Sequence, residues 1–170
     1  TLAEDVDVTL NAGAGGDITL GDVDVNSLTM TGDTLNLSGD VVSDVALTFA
    51  GVNAINVTGT QSFTAFDVAD QDITFGAGNI LGGGGNLTLN GDTITIEQVN
   101  GIANLAVNGN TAIALNDTVS TVGTQTYTAP AITVANDLTT TNDNILFNNA
   151  FSLTGASIMS TGVGIGNITY

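Results

Sequence analysis

One ten-residue phrase occurs twice in this chain, and its repetition limits the folds open to it. Leu28-Thr29-Met30-Thr31-Gly32-Asp33-Thr34-Leu35-Asn36-Leu37 returns further on, with conservative replacements, as Leu87-Thr88-Leu89-Asn90-Gly91-Asp92-Thr93-Ile94-Thr95-Ile96. Each copy reads as a short strand, a Gly-Asp turn and a second strand, with apolar residues at alternate positions in both halves. Alternation of that kind is the period of a strand with one buried face. A unit so small cannot bury its apolar edge alone. It needs a copy of itself alongside.

A second phrase repeats independently and at a slightly wider spacing. Gly59-Thr60-Gln61-Ser62-Phe63-Thr64-Ala65 is answered by Gly123-Thr124-Gln125-Thr126-Tyr127-Thr128-Ala129. Shorter echoes pair Asn79-Ile80-Leu81 with Asn144-Ile145-Leu146, Leu89-Asn90-Gly91 with Leu153-Thr154-Gly155, and the segment from Val8 to Gly13 with that from Ile73 to Gly78. The expected organisation is one domain over residues 1–170, built from two to three copies of a long unit: approximately 1–65, 66–129 and an incomplete 130–170. Solenoid rungs run about 20 to 30 residues, so each unit holds about three and the chain roughly eight. At about 4.8 Å per strand the stack is on the order of 40 Å long. The fold class expected is all-β, a parallel β-helix or β-solenoid.

Composition sharpens what such a rod can do. The 170 residues include no Lys, Arg, His or Cys against 17 Asp and Glu, and 42% are hydrophobic. That hydrophobic fraction fills a core, so a net charge of −17 does not imply disorder. Without a basic side chain the chain cannot neutralise phosphates, which excludes nucleic acid and anionic membrane surfaces as partners. It offers trypsin-like proteases no site and isopeptide cross-links no Lys. Stability must come from ladder hydrogen bonds and apolar stacking. No apolar run is long enough to cross a bilayer, and the lack of Cys carries no redox information. The first residue is Thr1 rather than Met, which suggests a removed leader or an internal piece of something longer, and the Thr, Asn and Gly-rich repeats favour export.

The same absences bear on catalysis. With no His, Cys or Lys, triads, Schiff bases and imidazole acid-base chemistry cannot be assembled. Lyases built on a β-helix stabilise a carbanion with cationic side chains, and none exists here. Paired carboxylates hydrolysing a glycoside are the one remaining route, and the expectation is that the chain is not an enzyme. Metal binding has a better motive. If Asp5 and Asp7 lie over Asp22 and Asp24 on adjacent rungs, four carboxylates stack at about 4.8 Å, and Ca2+ is the cation that would relieve their repulsion. The plainer explanation is that they face water and keep the rod soluble. Gly82 to Leu89 superficially resembles a Ca2+-binding nonapeptide, but Leu87 stands where Asp is required.

Sequons at Asn36, Asn56, Asn86, Asn116 and Asn167 are about as many as chance supplies from so much Asn and Thr. Phe63, Phe66, Tyr127 and Phe147 are expected in the core rather than on a sugar-binding platform. Leu81 to Asn86, with four consecutive Gly, is an outer loop or a tight corner, and Asn100-Gly101 and Asn108-Gly109 read as turns.

The phrases Gly-Thr-Gln-[Ser/Thr]-[Phe/Tyr]-Thr-Ala, with runs such as Ile132-Thr133-Val134-Ala135-Asn136-Asp137-Leu138-Thr139, resemble repeats of bacterial filamentous-haemagglutinin-type exoproteins over nearly the whole chain. The resemblance implies a right-handed parallel β-helix, secretion to the cell surface and an adhesive or fibre-forming role. The family's secretion domain is not visible here, and its repeats normally carry Lys or Arg. The function expected is a secreted structural subunit that forms, or belongs to, an extracellular filament or cell-surface adhesin stalk. Its partners would be copies of itself end to end, or the continuation of a longer solenoid. The alternatives are an adhesin module with a glycan or cell-surface partner, and a β-sandwich pilin polymerising by strand donation.

Overall fold

Along Asn86–Ile96 the side chains of Leu87, Leu89, Ile94 and Ile96 are buried while those of Thr88, Asn90 and Thr95 reach the surface. The same alternation fixes the register of the strands before and after it, because a slip of one residue would turn every apolar side chain outward. The computed structural model describes residues 6–65, 71–76 and 80–170. Among these residues there is no helix, and every strand pairing is parallel. The result is a β-solenoid of about eight turns. No antiparallel pair of the kind a β-sandwich pilin requires occurs among the described strands.

Three stacks of strands make three faces. On the first, Val8, Leu28, Leu47, Ile73, Ile94, Ile113, Ile132 and Phe151 lie in register from turn to turn. On the second the series is Ile18, Leu35, Ile55, Leu81, Val99, Val119, Leu138 and Met159. On the third it is Val23, Val41, Phe63, Leu89, Val107, Tyr127 and Phe147, with Ile168–Thr169 added to that face by the last turn. All three series point inward and make one core. Aromatic rings fill its wider parts. Phe49 stacks on Phe75 at 5.0 Å and meets Phe63 from the third face at 4.8 Å, and higher up Tyr127, Phe147 and Phe151 stack in succession.

Turn length varies. The step from Ile18 up to Leu35 is short, and the step from Leu47 up to Ile73 is about half as long again. The described strands stay paired across these steps, with register shifts between Thr29 and Thr31, Gly91 and Thr93, and Asn100 and Ile102. This variation separates the two sequence repeats. Phe63, Leu89, Val107 and Tyr127 are consecutive members of one series, so the repeat that starts at Gly59 and again at Gly123 is three full turns. The repeat that starts at Leu28 and again at Leu87 is one face short of three turns. Leu28 lies on the first face and its counterpart Leu87 on the third.

The twin phrases nevertheless share one local structure. Each is a single eleven-residue strand, Ser27–Leu37 or Asn86–Ile96, bent at its Gly. Asp33 N–H donates to the Gly16 carbonyl below and Asp92 N–H to that of Gln71, both at 2.8 Å. Each carboxylate accepts from the turn above, Asp33 from Asn53 and Asp92 from Thr111. A corner, not a reversal, is what the Gly-Asp pair encodes.

The Asn-Gly pairs need the corresponding correction. Asn100-Gly101 is an irregularity inside the strand Gln98–Ile102, and Asn108-Gly109 is a bend inside Leu105–Leu115. Neither joins a hairpin, because the following residues pair with the neighbouring turns rather than folding back. At Leu81 to Asn86 the structure selects the tight corner. Gly83 has φ +101°, and a Cβ there would lie 2.6 Å from the Val57 backbone N and O, whereas Gly84 at φ +77° faces open space. Gly84→Ala is expected to cost about 1–2 kcal/mol, the left-handed backbone strain alone. Gly83→Ala must also displace the Val57 backbone and should lower the midpoint of thermal unfolding further. Equal midpoints would show that the corner is looser than its geometry.

Candidate functional site

The residues between the inward series form the outer faces, and these are ordered too. On the first face Thr9, Thr29, Thr48, Thr74, Thr95, Ala114, Thr133 and Ser152 stand over one another. Thr is β-branched and stiff at χ1, which suits a pleated, half-buried surface. An open hollow of about 240 Å³ on this face, lined by Ala131, Ile132, Thr133, Ala150, Phe151 and Ser152, contains no titratable side chain.

Polar side chains tie successive turns together on the other faces. Asn86 Nδ2 donates to Thr60 Oγ1 at 3.0 Å, and Asn104 Nδ2 donates to Asn86 Oδ1 at 2.8 Å. Asn104 Oδ1 accepts the Thr124 N–H at 2.9 Å, and Thr124 Oγ1 donates to Asp143 Oδ1 at 2.7 Å. Thr64, Asn90 and Asn108 form a parallel ladder, and Asn56 donates to Asn36 on the second face. These bonds lie at the surface or only partly beneath it. They also act along the rod axis, adding to the backbone ladders.

Two carboxylates are held below the usual range by this arrangement. Asp7 accepts from the Ser27 hydroxyl and the Asn26 amide, both at 2.7 Å, and these hydrogen bonds lower its pKa from 3.8. The Thr124 hydroxyl, followed by the Asn144 backbone N–H, does the same for Asp143. A depressed folded-state pKa contributes stability that is complete above the unfolded value and is lost as pH falls through the folded one. Between pH 5 and 3 the wild-type chain should therefore lose more stability than Asp7→Asn or Asp143→Asn, measured as the shift in denaturation midpoint. Identical pH profiles would show that these bonds do not favour the ionised forms. Asp7 is exposed and Asp143 only partly covered, so the effect should weaken as salt is added.

The structure disperses the acidic residues considered for Ca2+. Asp5 lies outside the described residues. Asp7 is opposite Ser27, not Asp22 or Asp24. Asp24 is opposite Val42 on the third face, and Asp22 Oδ1 accepts the Asp40 N–H at 3.1 Å. The one-residue-per-rung stacking that the quartet requires is therefore not the register of Asp7. Among the described residues no group of three or more His, Cys, Asp or Glu could hold a metal ion.

Of the sequon residues, Asn36, Asn56 and Asn86 have their side chains in the ladders described above. Asn116 and Asn167 are exposed, Asn116 donating to Glu97 at 2.9 Å. Phe63, Tyr127 and Phe147 are buried, as core residues should be; Phe66 lies outside the described residues. Sequence reasoning passed over the buried polar cluster around Gln125. Its Nε2 donates to the Thr139 carbonyl at 2.7 Å and to Thr121 Oγ1 and the Val119 carbonyl at 3.2 Å, and its Oε1 accepts from the Tyr127 hydroxyl at 3.0 Å. Burial pushes the Tyr127 pKa far up, so that hydroxyl stays a neutral donor. No family model, curated protein or solved structure matches the chain.

Proposed function

We propose that this chain is a secreted structural solenoid, a stiff rod that forms or belongs to an extracellular filament or a cell-surface adhesin stalk. The observation that supports it best is the direction of the bonding. Three stacks of parallel strands run unbroken over about eight turns, and the outward side chains add further bonds along the same axis. Such an object resists bending and stretching, and its energetics are those of a repeat array in which each turn is held by its neighbours. The resemblance of the repeated phrases to filamentous-haemagglutinin-type exoproteins supports the extracellular setting. So does the charge: with 17 acidic residues and no basic one, rods repel each other sideways and stay dispersed.

Two measurements test the reading. Electron microscopy of the purified chain should show rods on the order of 40 Å per copy along the axis. An antibody raised against the folded chain should label intact source cells without permeabilisation. Labelling only after the cells are opened would overturn the extracellular assignment, and a rounded particle would overturn the rod.

A further inference from the structure

We propose that Asn100 is a site of self-modification: its side chain closes onto the backbone nitrogen of Gly101 and is converted to aspartate and isoaspartate, while the fold keeps the other Asn-Gly pairs intact. The inference goes beyond the rod reading and does not depend on where the rod resides. Asn-Gly occurs three times, at Asn90-Gly91, Asn100-Gly101 and Asn108-Gly109. Glycine lacks the Cβ that would crowd the nitrogen of the following residue, so each pair leaves the asparagine amide open to attack from its own main chain. The three start equal in sequence. Structure separates them.

Asn100 is exposed, and its side chain makes no hydrogen bond among the described residues. Strand pairing passes Gly101 by on both sides. Toward the turn below it ends at Val99, opposite Leu81; toward the turn above, Asn100 lies opposite Ser120 and Ile102 opposite Thr121, the next residue. Gly101 is thus the extra residue of a bulge, with φ +83°, and a Cβ placed on it would meet nothing within 4 Å. Its carbonyl accepts the Gly84 N–H at 2.9 Å, a bond made by the oxygen and not by the attacking nitrogen. The other two pairs are clamped. Asn90 Nδ2 donates to Thr64 Oγ1 at 3.2 Å, and Asn90 Oδ1 accepts from Asn108 Nδ2 at 2.9 Å. Gly91 and Gly109 are buried and lie opposite each other in register. A Cβ on Gly109 would come within 2.6 Å of the Ala112 carbonyl oxygen, and one on Gly91 within 3.2 Å of that of Gln71. A ring closing at either pair would need space that the chain already fills, and would break the ladder.

The step consumes only water. The Gly101 nitrogen attacks Asn100 Cγ, so that an N–Cγ bond forms and the Cγ–Nδ2 bond breaks. The proton given up by the Gly101 nitrogen departs on Nδ2, which leaves as ammonia. Water then opens the succinimide ring. Cleavage of the new N–Cγ bond yields aspartate, and cleavage of the original peptide bond yields isoaspartate, in which the main chain runs through Cβ and Cγ. Either product adds a carboxylate to the second face. Isoaspartate also lengthens the main chain where the strand already carries a surplus residue.

The test incubates the folded 170-residue chain at mildly alkaline pH, digests it with chymotrypsin and follows each asparagine by mass spectrometry, with isoaspartyl methyltransferase labelling the isoaspartate product. Asn100 should convert about tenfold faster than Asn90 or Asn108, or more, because those two must first open locally. In denaturant the three should react alike. Asn100→Gln should remove most of the label from the folded chain and leave its circular dichroism spectrum unchanged. An Asn100 that stays intact, comparable rates at all three pairs in the folded chain, or label persisting on Asn100→Gln would each overturn the site. The same preference for Asn100 in denaturant would overturn the part assigned to the fold.

Discussion

Phe63→Ala is expected to cost about 3–5 kcal/mol, the usual penalty for emptying a large aromatic site. Phe63 is fully buried, and its ring is 4.8 Å from Phe49 and 6.1 Å from Phe75, so the cavity would open where two faces meet. Domains of this kind are stable by roughly 5–15 kcal/mol, which makes the loss a large share of the whole. Its distribution is as informative as its size. In a solenoid each turn contacts only its neighbours, so damage stays local. Hydrogen exchange should accelerate in the strands around Phe63, such as Val41–Ser43 and Asn86–Ile96, while Gln125–Thr128 and Ile145–Phe147 keep their protection. Uniform acceleration along the chain would mean that the rod unfolds as one cooperative block.

Gln125→Leu should cost about 1–3 kcal/mol although leucine fits the site, because the penalty is that of stranding buried polar partners. The neighbours of Gln125 in its inward series are Leu105 and Ile145, so shape is not at issue. What is lost is the acceptor for the Tyr127 hydroxyl and a donor to two carbonyls and Thr121. Adding Tyr127→Phe should recover part of the loss, and a double-mutant cycle should show a coupling outside simple additivity. Gln61 supplies the contrast. It holds the equivalent place in the earlier copy of the Gly-Thr-Gln phrase, yet its buried Oε1 has no partner among the described residues. Gln61→Leu should therefore be close to neutral or stabilising, measured by the same chemical denaturation. A large loss there would mean that the two glutamines do the same job.

How much of this was legible in the residues depends on which rule governed each position. Asp22-Val23-Asp24-Val25 and the twin ten-residue phrases declare their buried face by alternation alone, and the return of the Gly59 phrase at Gly123 announces the three-turn unit. Gln125 was also within reach, since it shares inward parity with Tyr127 and Ala129; a polar residue in an apolar slot is easily taken for a surface one. Asn108-Gly109 was harder. That pair reverses a chain only when the next strand can fold back on the last, and here the open edge of the adjacent turn takes the strand instead. Face identity was not legible at all. Steps as unequal as Ile18 to Leu35 and Leu47 to Ile73 leave no fixed period to count by.

The missing face in the Leu28 and Leu87 repeat has a consequence for how such rods lie beside one another. The Asp33 and Asp92 corners are chemical twins that look out in different compass directions. Both corners border the first face, Asp33 where it meets the second and Asp92 where it meets the third, so a contact made by one twin is not repeated along the same edge of the rod. A neighbour that engages both copies must therefore lie across the first face rather than along one corner.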